Sequence, residues 1–174
     1  MILFLKEFIV LKNREMSFDI PSYTGIWYEY GRYPSIYETD CEGAQAEYFF
    51  NEHQQILRIK NSCIVNNKVI RADWGTARPT DTPGIFMLKF DRFGVNAPET
   101  PYQVLFTDYE NYAFVGSHQL NYFWILVRIP ELYDDEVVYL NEKTRELGFD
   151  PQKLIRNPSI HKLGSRLDPI PKKN

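Results

Sequence analysis

Two cysteines and three histidines are the side chains of this 174-residue chain with reactive chemistry of their own to offer. A thiolate beside a histidine is a nucleophile, and thiolates together with imidazoles hold zinc. The spacing favours neither. Cys41 and Cys63 lack the paired spacing of a tetrahedral site; His53 falls in an expected turn, His118 at an expected strand end and His161 in the C-terminal tail. Cys63 can point inward by alternation, but no histidine is near it in sequence, and Lys60 and Lys68 fall on unassigned faces. Nothing there predicts an activated thiol. The expectation is a protein that is not an enzyme, with no catalytic residue, no metal ligand and no cofactor.

The cysteines can still bond each other. A hairpin turning at "NEHQ", residues 51–54, brings them roughly opposite and within bridging reach. Parity objects. The face that carries Ala46, Tyr48, Leu57 and Ile59 also carries Cys63 but not Cys41, so a bond needs a bulge or an irregular entry to the strand. A Cys41–Cys63 bridge and two free thiols both stay open. Glu29 and Asn61 raise a related question, because strict alternation turns both inward. A buried carboxylate or amide needs a partner, a water or a ligand head group. Internal hydrogen bonding is the expectation for both, with a ligand head group as the alternative.

These placements depend on strands, and the chain supplies them. "GIWYEYGRYP" is aromatic, interrupted by Gly31 and closed by Pro34, the pattern of one bent strand. "GAQAEYFF" and "ILRIKNSCIV" flank a polar connection as a hairpin. "NKVIRADWGTARP", "GIFMLKF", "PYQVLFTDY", "NYAFVGSHQ" and "YFWILVRIP" complete eight short runs bounded by Gly, Pro, Asn or Asp. With no helix between strands, the series predicts an antiparallel meander that closes as a barrel or packs as a sandwich. The period then changes. "DDEVVYLNEKTRELGF" starts acidic, repeats apolar residues at Val137, Leu140 and Leu147, and stops at Gly148, predicting a helix over 134–148. "QKLIR" can add a short ninth strand. The expected organisation is an N-terminal extension over 1–20, a barrel over 21–157 and a Pro-rich, basic tail over 158–174.

Composition bounds the partners. The length suits one domain with a real core. The net charge is -3 and the charges are spread along the chain, so no nucleic-acid footprint is present. No apolar run reaches the roughly 18 residues a membrane-spanning helix needs. The opening "MILFLKEFIVLKNREM" is split by Lys6 and Glu7 and lacks a small-residue cleavage site, so it is not a clean signal peptide. A natural start at Met16, leaving residues 1–15 outside the fold, accounts for it equally.

Three separated motifs resemble those of the lipocalin family. "GIWYE" at 25–29 resembles its opening glycine-x-tryptophan signature, "TDYENYA" at 107–113 its second, and "WILVRIP" at 124–130 its third, with the arginine. The helix followed by "GFDPQKLI" is similar to that region of bacterial outer-membrane lipocalins and apolipoprotein D. The resemblance implies an all-β protein with one helix: an eight-stranded antiparallel up-and-down β-barrel, a C-terminal α-helix and a short ninth strand. It implies structural roles for Gly25, Trp27, Thr107, Asp108 and Arg128, with the arginine lying over the Trp27 ring at the closed end. It also implies that residues 34–41 form the loop over the open end, and that Tyr28 and Tyr30 pack beneath the helix or the N-terminal segment. The family is mostly secreted or periplasmic, while the N-terminus does not decide the location.

Candidates for lining the cavity are Glu29, Tyr33, Ala46, Tyr48, Leu57, Ile59 and Asn61 by alternation along the first strands. In the later strands they are Trp74, Phe86, Leu88, Tyr102, Val104, Phe114 and Trp124. Such walls suit a small hydrophobic molecule, an acyl lipid above all, such as a fatty acid or lysophospholipid, or an isoprenoid. The same residues can instead fill the barrel, leaving the mouth loops around "YPSIYETD" and "FGVNAPETP" to bind a protein. Subunit number stays open, a homodimer included.

Overall fold

The strands close into a ring. The computed structural model describes residues 18–35, 39–119 and 121–165. The readings of the N-terminal leader and of a start at Met16 lie outside those residues. After a one-turn helix, α1 (Ile20–Tyr23), come β1 (Gly25–Arg32), β2 (Gly43–Asn51), β3 (Ile56–Val65) and β4 (Lys68–Pro79). They are followed by β5 (Ile85–Phe90), β6 (Thr100–Thr107), β7 (Tyr112–Ser117) and β8 (Tyr122–Val127). Each strand pairs antiparallel with the next, and β1 pairs with β8, so the meander is a barrel and not a sandwich. Closure leaves no free edge among the eight.

A short strand β9 (Glu131–Tyr133) leads into helix α2 (Asp134–Glu146). Three acidic residues stand in its first turn, and Glu136 accepts from the Tyr133 backbone N–H at 2.9 Å. Both features favour the positive end of the helix dipole. Gly148, with φ +82°, ends it. The predicted ninth strand is present as β10 (Ile155–Arg156), which pairs with Gly31 and Arg32 of β1. Sequence periodicity missed α1, β9 and β11; β11 (His161–Gly164) runs parallel to β9, inside the segment read as tail. Phe18 and Ile20, assigned to the extension, pack on the barrel core. No helix among the described residues is long and apolar enough to cross a membrane.

Two apolar clusters result. One lies inside the barrel, around Tyr23, Trp27, Tyr48, Leu57, Ile59, Ala77 and Phe86. The other lies between the barrel wall and α2, joining Tyr30, Phe114, Phe123 and Ile125 to Leu140 and Phe149, with Val137 and Leu147 against it. Tyr28 and Tyr30 both belong to this outer layer, as expected for aromatics that alternation sends outward.

Candidate functional site

The lumen has a sealed floor. Trp27 is fully buried, its Nε1 donates to the Tyr23 carbonyl at 2.9 Å, and the Arg128 guanidinium carbon lies 3.8 Å from its ring centre. Arg128 also donates to the carbonyls of Tyr109, Ile26 and Ser22 at 3.1, 2.9 and 3.0 Å, tying α1, β1 and the β6–β7 turn together. Gly25 has φ +92°, and a Cβ there would meet Arg128 Nη1 at 3.3 Å, so both conformation and space call for glycine. In the β6–β7 turn, Thr107 Oγ1 donates to the Tyr112 carbonyl and accepts from the Tyr109 N–H. Asp108 accepts from the N–H groups of Asn111 and Tyr112, both at 2.8 Å. Burial alone pushes the Asp108 carboxyl up, but these hydrogen bonds outweigh it and hold it below the usual carboxylate range. Above the floor the hydroxyls of Tyr23 and Tyr48 lie 2.9 and 2.7 Å from that of Tyr102. Burial pushes the Tyr23 and Tyr102 hydroxyls well above their ordinary values, so these two stay protonated.

The walls follow from register. Ala44, Cys63 and Arg71 lie side by side across β2, β3 and β4; so do Ala46, Asn61 and Asp73, then Tyr48, Ile59 and Gly75, then Phe50, Leu57 and Ala77. Phe86 and Tyr102 are paired, and Val104 and Trp124 both flank Val115. Glu29, Ala46, Tyr48, Leu57, Ile59, Asn61, Phe86, Leu88, Tyr102, Val104 and Trp124 are thereby brought to the interior. Three predicted lining residues are not. Tyr33 lies outside, because the β1–β8 register shifts between Glu29 and Gly31. That irregularity turns Arg32 inward and sends Tyr33 against Phe123 and Phe149. Phe114 also points out, since its neighbours Ala113 and Val115 take the inward positions of β7. Trp74 lies outside as well, stacked on Phe49, because Gly75 and Ala77 are the inward residues of β4.

The two inward polar residues resolve differently. Glu29 is 2% exposed and forms an ion pair with Arg32, 3% exposed, at 2.6 Å. Arg32 Nη2 also donates to the Cys41 carbonyl at 2.8 Å. Glu29 is internally bonded, as expected. Asn61 is not: its buried Oδ1 has no hydrogen-bond partner among the described residues, which overturns the expectation of internal bonding. It lines a cavity of about 40 Å³ at the mouth with Cys63, Arg71, Asp73, Phe90 and Arg92. Sequence reasoning passed over Arg32, Arg71 and Asp73. The small residues of "RADWGTA" held the signal for the last two, since Gly75 and Ala77 can set the inward parity of β4.

Cys41 and Cys63 are disulfide-bonded, with Cα atoms 5.3 Å apart. Cys41 precedes β2, where alternation does not yet apply, and this is the irregular entry that the parity argument required. The bridge ties the loop at the mouth to β3 and leaves no thiol on either residue. Its loop spans a sequence separation of 22, so replacing both cysteines by alanine should lower unfolding stability by about 3 kcal/mol. Denaturant unfolding checks this, and a change below about 1 kcal/mol would contradict it. A larger cavity, about 310 Å³, lies outside the barrel at its closed end, bounded by Ile129, Leu132, Glu136 and Leu163.

A family profile described as "Lipocalin-like domain" matches residues 18–159. Apolipoprotein D of Bos taurus is 33% identical over 161 residues, covering 83% of this chain and 79% of that protein. Among solved structures, insecticyanin of the tobacco hornworm Manduca sexta superposes with a TM-score of 0.65 at 24% identity, covering 86% and 87% of the two chains. Lobster apocrustacyanin A1 superposes with a TM-score of 0.60 at 21% identity, covering 80% and 78%. At these identities the two structures speak to the fold alone.

Proposed function

Because the chain belongs to the lipocalin family, whose members generally bind small hydrophobic molecules, we propose that its barrel carries or sequesters an elongated apolar ligand such as a fatty acid, lysophospholipid or isoprenoid. The family is typically one of non-enzymatic binding proteins. One observation carries the proposal. Leu88, Tyr102, Val104 and Trp124 face the interior of a ring closed at its floor, yet each is only half-buried. Apolar side chains that point inward and still meet solvent border space that a ligand can take.

Native mass spectrometry of the protein purified from cells, read with lipid extraction, should report bound mass and subunit number together. Displacement of an environment-sensitive fatty-acid probe supplies the affinity. Val104→Phe should weaken the probe by tenfold or more while leaving the melting temperature within a few degrees, because the added ring enters the space and not the packed floor. If no lipid, steroid or isoprenoid competes at micromolar concentrations, the proposal fails. A second reading, a protein-interaction module built on the mouth loops, draws on the exposed Phe93 and Val95 between β5 and β6. In that case Val104→Phe should leave partner capture intact.

A further inference from the structure

The mouth of the lumen is charged but balanced. Arg71 lies 2.7 Å from Asp40 and 3.2 Å from Asp73, and Arg92 lies 2.7 Å from Asp73. The hydrogen bond from Arg71 keeps the Asp40 carboxyl below the usual carboxylate range, and the same bond raises the guanidinium. Two cations and two anions therefore hold one another, and the cluster presents no net charge to an entering head group.

Asn61 stands just inside this cluster, between Ala46 and Asp73 across the strands, one inward position below the disulfide. Its Oδ1 is buried and lacks a partner among the described residues. A buried acceptor left unpaired costs roughly 1 to 3 kcal/mol, which a suitable donor recovers. No described residue supplies that donor, so a ligand seated in the lumen can. An ionised carboxylate offers only acceptors, so it cannot meet Oδ1, and it would approach Asp40 and Asp73, whose arginines are already engaged. A hydroxyl can donate to Oδ1 and accept from the amide of the same side chain.

We infer that Asn61 anchors the polar end of the ligand and selects an uncharged, hydroxyl-bearing chain, such as a long-chain alcohol or a monoacylglycerol, over the free carboxylate. This rests on the lumen-binding reading above and, among the apolar chains that reading admits, sets the free fatty acid behind its uncharged hydroxyl-bearing counterparts. The head group sits at the mouth against Asn61, and the apolar chain runs along Leu88, Val104 and Trp124.

The experiment compares a 1-alkanol, its methyl ether, the alkane and the carboxylate of one chain length, each displacing the same fluorescent probe at pH 8. The ether keeps the acceptor oxygen and loses only the donated proton. In the native protein the alcohol should bind roughly tenfold tighter than the ether, with the carboxylate no tighter than the ether. Asn61→Leu, close in shape and free of the unpaired acceptor, should bind alcohol and ether equally, hold the alkane as before and melt no lower than the native protein. If the ether matches the alcohol, or the carboxylate exceeds it, or Asn61→Leu keeps the discrimination, the inference is overturned while binding in the lumen stands. If none of the four chains displaces the probe, the binding proposal falls and takes this inference with it.

Discussion

Replacing Glu29 or Arg32 alone by alanine should destabilise the protein by about 3 to 5 kcal/mol, with unfolding following urea linearly at a lower midpoint. Both side chains are almost wholly enclosed and meet at 2.6 Å. Removing one leaves its partner charged and desolvated inside the barrel, and that, more than the lost attraction, sets the magnitude. Arg32 adds a second effect. It bonds the Cys41 carbonyl, so its loss also frees the residue through which the mouth loop joins the disulfide. The double change Glu29→Leu with Arg32→Met should cost less than either single one, because no uncompensated charge remains. A double variant as unstable as the sum of the singles would show that the two residues act separately. If Glu29 serves the barrel and not the ligand, as its ion pair with Arg32 favours, probe affinity in the double variant should match that of the native protein.

Why the Glu29–Arg32 ion pair could not be foreseen shows where the sequence stops being informative. Alternation places Glu29 inward and leaves Arg32 outward; the register shift at Tyr30 brings them to the same side. That shift accompanies a change of partner along β1. Gly25 to Tyr28 pair with β2, while Gly31 and Arg32 pair with β10, and Asn157 bonds the carbonyls of Glu29 and Tyr30. β10 and Asn157 sit more than a hundred residues away from β1 along the chain, so no local window contains them. The β2–β3–β4 wall behaves otherwise. Regular pairing over long strands makes Ala46, Tyr48, Leu57, Ile59 and Asn61 readable from period alone. Trp74 failed because size suggested a core residue, whereas the inward places on β4 went to Gly75 and Ala77, opposite Ile59 and Leu57. Phe114 failed for a like reason, being the larger residue between two smaller inward ones. Eight strands, their order and the helix follow from punctuation by Gly, Pro, Asn and Asp, whereas the β9–β11 pair rests on a parallel contact that no periodicity announces.

Trp27→Ala should cost a further 3 to 5 kcal/mol, the range for emptying a buried aromatic site that cannot collapse. The site cannot collapse because its walls are held by other bonds. The Tyr23 ring, 5.4 Å away, is fixed through its hydroxyl to Tyr102, and Arg128 is fastened to three carbonyls on three segments. Burial lowers the pKa of Arg128 from its ordinary value, yet a guanidinium stays charged across the working range, so the loss should be the same at pH 6 and pH 9. Trp27→Phe keeps a ring beneath the guanidinium and loses the Nε1 hydrogen bond to Tyr23. It should cost well under half as much as the alanine change. Arg128→Lys should be worse than that conservative exchange, since an ammonium cannot reach three divergent carbonyls and cover the ring together. The order Trp27→Ala, Arg128→Lys, Trp27→Phe, from most to least destabilised in chemical unfolding, is the expected result. If Trp27→Ala unfolds within 1 kcal/mol of the native protein, the floor is held by the tyrosine network and the turn at Thr107 and Asp108, not by the tryptophan.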